Sequence, residues 1–511
     1  MRFHDHVYAT RAVLFAVAFI AAHVVAAAQP ASGLSCAELT TVRIPDVRVV
    51  RSAMVDPDPV WLAPLPTETD RFRAPVRARF CRVEGTIEDE IGFELWLPEP
   101  AQWNGRMLGV GNGGFAGFFR YESLARGVNR GFASVSTDTG HKITELNWPI
   151  GKPRRLENLG HRGQHLTAVN AKQIIAAHYG SGPHHNYFTG CSGGGMQAMN
   201  EVQRYPADYD GIIAGAHGTS IVGISARWLA SALIAQHQPE ASLTNAEWRR
   251  VAEAAIKACD AGDGVRDGIL NEPQRCKFDV ASTPGLSESK VASARTLLGP
   301  VVGRDGFVLF PAFDPGVAFS PITSPGRAGE VFAQWAYGDS NWDFMQFDAG
   351  RDVPLVEALV PGASFTNPNL DAFRRRGGKL ISYHGWTDQI VPAQATIDYY
   401  QLVERFMGRQ KTREFYRLYL APGVDHCRGG AGPDSFGVSY EDLPNPDAEH
   451  DMLSAIVEWV ENDRAPERLI ASKLKEGTVT MTRPLCPYPE VVKYRGRGDA
   501  NAAASFVCAN P

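Results

Sequence analysis

The stretch Asn186-Tyr187-Phe188-Thr189-Gly190-Cys191-Ser192-Gly193-Gly194 runs from a short apolar segment into a glycine-rich turn, and a helical pattern through Met199 and Val202 follows it. Residues 190–194 fit G-x-S-x-G, in which a serine sits on a sharp strand-to-helix turn and small neighbours tolerate the strained backbone. The alternative is a glycine-rich turn with an incidental serine. A strand before and a helix after favour Ser192 as a nucleophile.

Outward from this turn, strands and helices alternate. Phe93–Pro98 alternates apolar and polar residues like a half-buried strand, and Arg106–Val110 and Gly131–Ser136 are further strands. Gln164–His178 carries apolar residues at helical spacing, and Asp210–Gly215 reads as the next buried strand. This rhythm predicts an α/β fold with a mainly parallel sheet covered on both faces. After about His217 the pattern changes to a helix over about 245–258, opened by Thr244 and Glu247 at capping-box spacing, and then to Pro- and Gly-rich sequence. Strand and helix signals return at Lys379–His384, 393–407, Phe415–Leu420 and about 448–462. The middle segment is therefore read as a large insertion within one catalytic domain.

A serine hydroxyl needs a base to take its proton, and the base needs an acid to orient it. In α/β-hydrolases the chain order is serine, acid, histidine. Asp388 follows the strand ending Tyr383-His384-Gly385, and His426 follows the strand ending Leu420-Ala421, both beyond the carboxyl ends of strands where catalytic groups belong. Asp425 adjoins His426 and reads as a loop residue bonded to local backbone. His384 reads as a packed or hydrogen-bonded core histidine. His161, His165, His184 and His185 break the chain order, and His217 is a minor candidate. For the oxyanion, the N–H of Gly193 is one expected donor. The other comes from Gly111-Asn112-Gly113-Gly114, with Gly113 or Gly114 left open. That loop is otherwise a tight turn without a ligand.

Arg2 and Arg11 precede a short apolar stretch, Ala12–Ile20, and Ala26-Ala27-Ala28 follow, the three parts of a secretory signal removed after about residue 28. The alternative, an uncleaved anchor, is disfavoured by a short run broken at His23. The mature chain is expected to be secreted or periplasmic, with no membrane association. Eight cysteines in an exported chain imply four disulfides among 105 possible connectivities. Short separations favour Cys259–Cys276 and Cys486–Cys508, Cys36–Cys81 suits an N-terminal tie, and Cys191 and Cys427 remain. That last pair flanks Ser192 and His426, so a bridge there agrees with the proposed triad, although each cysteine has other partners open to it. With 511 residues, one large domain with an insertion or two domains are expected. The net charge of -5 gives no broad basic field and argues against nucleic-acid binding.

Asp260, Asp263 and Asp267 crowd one loop between Cys259 and Cys276. Clustered carboxylates with carbonyls between them suit Ca²⁺, whereas two Asp-Gly turns on a solvated loop are the plainer reading. The spacing is not that of an EF-hand.

Taken together, Gly190-Cys191-Ser192-Gly193-Gly194-Gly195, Trp386-Thr387-Asp388 and Asp425-His426-Cys427 resemble the tannase and feruloyl esterase family, whose triad serine and histidine each adjoin one of two bridged cysteines. The resemblance covers nearly all of the chain from Cys36 to Cys508. It implies an α/β-hydrolase over residues 29–217 and 365–511 with a lid domain over 218–364. It also implies structural calcium held by Asp260, Asp263 and Asp267 side chains and by the carbonyls of Val265 and Ile269, with no organic cofactor. The implied activity is hydrolysis of esters of aromatic acids (hydroxycinnamic, gallic or related) through an acyl-enzyme, on a small substrate or one attached to plant polymer. Trp335 and Trp342 would suit an aromatic acyl group or form lid core. A peptidase or acyltransferase using the same triad, or a calcium-dependent binding protein without catalysis, are the alternatives.

Overall fold

The structure is a computed structural model that describes residues 33–62, 73–438, 443 and 446–511; the expected signal segment lies outside the described residues. Residues 33–511 form one compact unit. Its frame is a nine-stranded sheet. In chain order the strands are β1 (Val47–Val55), β2 (Phe80–Ile87), β3 (Ile91–Pro98), β4 (Arg106–Val110), β5 (Ala133–Thr137), β6 (His185–Cys191), β7 (Gly211–Gly215), β8 (Lys379–Gly385) and β9 (Tyr416–Ala421). They lie in the order β1-β2-β3-β5-β4-β6-β7-β8-β9. The first three pair antiparallel with one another and β3 joins β5 antiparallel; every later pairing is parallel. This is the mainly parallel α/β-hydrolase sheet expected from the strand–helix rhythm.

The main helices are α1 (Tyr121–Asn129), α2 (Gly163–Tyr179), α3 (Gly193–Arg204), α4 (Ile221–His237), α5 (Asn245–Cys259), α6 (Glu288–Leu298), α7 (Ala349–Leu359), α8 (Ala393–Met407) and α9 (Met452–Asn462). One sheet face is covered by α2, α3 and α8, through Ile174, Met199 and Val403 among others. The other is covered by α1 and α9, through Leu124 and Trp459. Cover on both faces explains one departure from expectation. All eight residues of β3 are buried, although its alternation reads as half-buried. Its outlying polar residue, Glu94, is accommodated because Arg82 binds its carboxylate through two nitrogens, at 2.6 and 2.9 Å, and Tyr121 and Trp96 donate to it. Burying an acid is tolerable only with such partners.

Between β7 and β8 the chain adds no strand to the sheet. This segment is mostly helical, with one apolar cluster around Phe332, Trp335 and Val356 that Trp148 and Leu156 complete from outside it, and another around Trp248 and Phe319. The Thr244–Glu247 capping box opens α5 as its spacing predicts. α9 starts at 452 rather than 448, because Asp451 caps it by accepting from Ser454 N–H at 2.6 Å while Arg126 and Arg130 bind the same carboxylate. All four disulfides have the expected partners: Cys36–Cys81, Cys191–Cys427, Cys259–Cys276 and Cys486–Cys508. Among the described residues no helix is long and apolar enough to cross a membrane.

Candidate active site

Ser192 stands between the end of β6 and the start of α3, with φ 61° and ψ -124°. A non-glycine residue rarely adopts a positive φ, and the neighbouring glycines show what holds it there. A Cβ on Gly190 would lie 2.5 Å from the Gly194 backbone, and one on Gly195 would lie 2.2 Å from the Gly215 carbonyl oxygen. Only glycine permits the turn to close this tightly on β6 and β7.

Two loops bring the other groups. Asp388 follows β8 and is buried, and His426 follows β9 with 14% of its side chain exposed. His426 Nδ1 lies 2.7 Å from Asp388 Oδ2. The second carboxylate oxygen accepts from the N–H groups of Ile390 (2.9 Å) and Val391 (2.8 Å). Burial alone would raise this acid, but the imidazoles of His426 and His384 outweigh it and hold Asp388 well below the usual carboxylate range. The Cys191–Cys427 bridge, with Cα atoms 6.0 Å apart, joins the residue after which Ser192 comes to the residue that follows His426.

The loop after β4 packs directly on the Ser192 turn. A Cβ on Gly193 would sit 2.4 Å from the Gly114 carbonyl oxygen, and one on Gly194 would sit 2.6 Å from that of Asn112. Asn112 and Gln197 lock the two together reciprocally. Asn112 N–H and Gln197 Nε2 each donate across the gap at 2.9 Å. Gly114 and Gly193 line a common pocket whose walls include Phe115, Leu159, Ile221 and Trp335. Of the two glycines left open, Gly114 lines the cavity and Gly113 does not. Gly193 opens α3, so its N–H belongs to the first turn, which has no intrahelical acceptor.

The cavity lining carries no charged side chain. Phe115 and Trp335 meet edge to face with ring centroids 5.9 Å apart. Trp335 is thus both wall and core, since it also packs in the cluster with Phe332 and Val356. Trp342 stacks on Tyr337 and is not part of the wall.

The rival residues are placed elsewhere. Asp425 bonds local backbone, as its position suggested, through its N–H to the Gly429 carbonyl at 3.2 Å; its Oδ1 also accepts from the Thr387 hydroxyl at 2.8 Å, which links the acid and histidine loops. His217 is wholly buried under α3, where desolvation pushes it down to about 3. His165 binds Asp208 and His161 binds the Tyr205 hydroxyl. His184 and His185 lie at the opposite, amino end of β6. Asn112 and Gln197 are the contributors that the sequence did not reveal, because nothing local marks an amide for a partner 85 residues away.

In the aspartate loop, Asp260 Oδ1 accepts from the N–H groups of Asp267 and Gly268, and Asp263 accepts from Val265 and Asn271. Among the described residues no group of three or more His, Cys, Asp or Glu is gathered closely enough to hold a metal ion. The three carboxylates still sense one another: burial first, then Asp267 and Asp260, push Asp263 up to about 6. The donor chemistry is oxygen only and anionic, which suits a hard cation such as Ca²⁺. Asp267 is also paired with the fully buried Arg483 at 2.8 Å, which ties the loop to the C-terminal hairpin.

A family model for tannase and feruloyl esterase matches residues 76–300 and 332–509. An esterase of Xanthomonas campestris pv. campestris is 34% identical over 533 residues, covering 93% of this chain and 91% of the relative. A probable feruloyl esterase B-2 of Aspergillus terreus is 31% identical over 88% of this chain and 89% of its own length. The crystal structure of feruloyl esterase B from Aspergillus oryzae superposes with TM-score 0.84 at 26% identity, over 93% of this chain and 99% of that one. Tannin acyl hydrolase from Aspergillus niger shares the fold at TM-score 0.73 and 21% identity, over 94% of each chain. With a family model that matches most of its length and these relatives, the chain, which pairs Asp388 with His426 behind a G-x-S-x-G turn, belongs to the tannase and feruloyl esterase family and is a carboxylic ester hydrolase.

Proposed function

We propose that this protein is a secreted or periplasmic serine esterase that cleaves esters of uncharged aromatic acids, of the hydroxycinnamic or gallic kind, through an acyl-enzyme. The observation that carries the reading is the uncharged, aromatic-walled cavity between Gly114 and Gly193, beside the Ser192 turn. An aromatic ring resting against Phe115 and Trp335, which together form one wall, would turn its ester carbonyl toward the glycine N–H groups. Four disulfides support export.

In the proposed reaction Ser192 attacks the carbonyl carbon while His426 takes the hydroxyl proton. Asp388 keeps the imidazole in the tautomer with Nδ1–H and balances the charge that develops on it. The N–H groups of Gly193 and Gly114 receive the oxyanion. His426 returns its proton to the leaving alcohol, and the C–O bond to that alcohol breaks. Water then repeats the sequence on the acyl-enzyme and frees the acid and Ser192. The helix-rich segment over about 218–364 acts as a lid, since Trp335, Val360 and Ala363 close one side of the cavity. Asp260, Asp263 and Asp267, with the carbonyls of Val265 and Ile269, would hold Ca²⁺, whose contribution is to stiffen this segment.

Hydrolysis of methyl ferulate, methyl gallate and a terephthalate monoester by wild type and Ser192→Ala tests the reading. We expect turnover of the first two, abolished in the variant. The terephthalate half-ester should be poor, because its free carboxylate would enter an uncharged cavity at a penalty of several kcal/mol. Equal inertness of both proteins on the whole panel would refute it.

A further inference from the structure

Both bonds that Asp388 receives from backbone N–H groups fall on Oδ1. Oδ2 would then be held only by His426, the group whose orientation the carboxylate is meant to control. A second imidazole reaches that oxygen. His384, on β8 and fully buried, places Nε2 3.2 Å from Asp388 Oδ2. The same Nε2 lies 3.0 Å from the Val391 carbonyl oxygen, and Nδ1 lies 2.7 Å from the Thr396 hydroxyl on α8. A carbonyl and an ionised carboxylate only accept, so Nε2 carries the hydrogen; Nδ1 is then the acceptor for Thr396.

We propose that His384 is a positioning residue for the triad acid: its Nε2–H, set by Thr396, anchors Oδ2 independently of His426 and fixes the rotation of the Asp388 carboxylate. The terminal torsion of an aspartate is broad and poorly restrained by itself, so an anchor on each oxygen is what defines the plane. His426 then meets an acceptor of constant direction whether or not it carries the serine's proton. Val391 connects the two ends of this arrangement, since its N–H holds Oδ1 while its carbonyl is the nearer acceptor for His384 Nε2–H, at 3.0 Å against 3.2 Å for Oδ2. The inference rests on the Ser192–His426–Asp388 reading above.

The test uses His384→Met, which fills the space without a donor, and His384→Gln, which returns an N–H near the Nε2 position. Thr396→Val, which removes the hydroxyl that sets the tautomer, is the third variant. For each, kcat and KM on methyl ferulate, the rate of labelling by a fluorophosphonate and the thermal midpoint are measured per folded molecule. We expect His384→Met to lower kcat and the labelling rate 10- to 100-fold with KM within twofold. His384→Gln should recover most of that loss at a midpoint no higher than that of His384→Met, and Thr396→Val should fall between. Wild-type kcat in His384→Met, or equal losses in the Met and Gln variants that follow their midpoints, would overturn the proposal. If His384→Met does not fold, Thr396→Val decides, and an unchanged kcat there overturns it. A wild type that is neither labelled nor active removes the triad reading itself, whereas a labelled, active wild type beside an unaffected His384→Met removes only this inference.

Discussion

Cys191 and Cys427 lie 236 residues apart in the chain and are bridged with Cα atoms 6.0 Å apart, one directly before the proposed nucleophile and the other directly after the proposed base. Both flanking positions are backbone-strained: Ser192 has φ 61° and Cys427 φ 63°. The bridge therefore ties together two loops that each hold an unfavourable conformation. Replacing both cysteines by alanine should lower stability by roughly 2–5 kcal/mol. It should also lower kcat at least tenfold at a temperature where the variant is still folded. A variant that loses stability alone would assign the bridge to the scaffold.

Asp388→Asn keeps the size of the side chain but lets the amide donate to His426 Nδ1, which favours the wrong tautomer. A fall in kcat of about 10³–10⁴ with little change in KM is expected. Steady-state kinetics on methyl ferulate measure it. Asp425→Asn, which removes a charge but leaves an oxygen to accept from Thr387 and does not touch the Asp388–His426 pair, should change kcat by less than tenfold.

The Phe115–Trp335 contact predicts selectivity for a ring in the acyl group. Trp335→Leu should reduce kcat/KM for methyl ferulate 10- to 30-fold and leave an acetyl ester within threefold. Leu159→Arg should reverse the discrimination against a terephthalate half-ester, by giving the carboxylate a partner within the cavity wall.

Burial lowers His217 to about 3 and His141 to about 4, where His141 stacks on Trp148 at 3.9 Å. The unfolded chain binds a proton at each below about pH 6.5, while the folded chain refuses it until lower pH. Stability is then fully present above about pH 6.5 and falls as the pH drops toward 4, by up to about 1.4 kcal/mol per unit for each histidine. Thermal midpoints between pH 7 and 4 record the slope, and His141→Phe should reduce it.

If the aspartate loop holds Ca²⁺, removal with a chelator lowers the thermal midpoint, and calcium restores it. A hundredfold excess over Kd corresponds to about 2.7 kcal/mol. Arg483→Met, which removes the cation paired with Asp267 and frees that oxygen for the metal, should lower the midpoint without calcium and enlarge its calcium-dependent shift. No shift on chelation of a metal-loaded preparation would return the loop to its plainer reading as two Asp-Gly turns.

Much of the site was legible because its parts are local. A serine among glycines after an apolar segment marks the turn, and α8 is found over residues 393–407, the span its pattern predicts. Asp388 and His426 were singled out from chain order and from their places after β8 and β9, and the structure brings them within 2.7 Å of each other. Alternation in β3 was misleading, since the buried Glu94 carries its own set of partners from Arg82, Tyr121 and Trp96. The start of α9 was misplaced because Asp451 both caps the helix and binds two arginines from α1 and its end.

By itself the sequence determined the strand–helix order and singled out the Ser192 turn, Asp388, His426 and a favoured set of cysteine pairs as candidates, because each leaves a local pattern or follows from chain order and spacing. Tertiary structure alone decided that Gly114 and not Gly113 lines the cavity with Gly193, that Asn112 and Gln197 lock the loop to α3, that Asp425 accepts from Thr387, and that His384 reaches the same Asp388 oxygen as His426. These are distances of a few ångströms between segments brought together by packing. A hydrogen bond is won or lost over less than one ångström, a scale that no periodicity in the chain encodes.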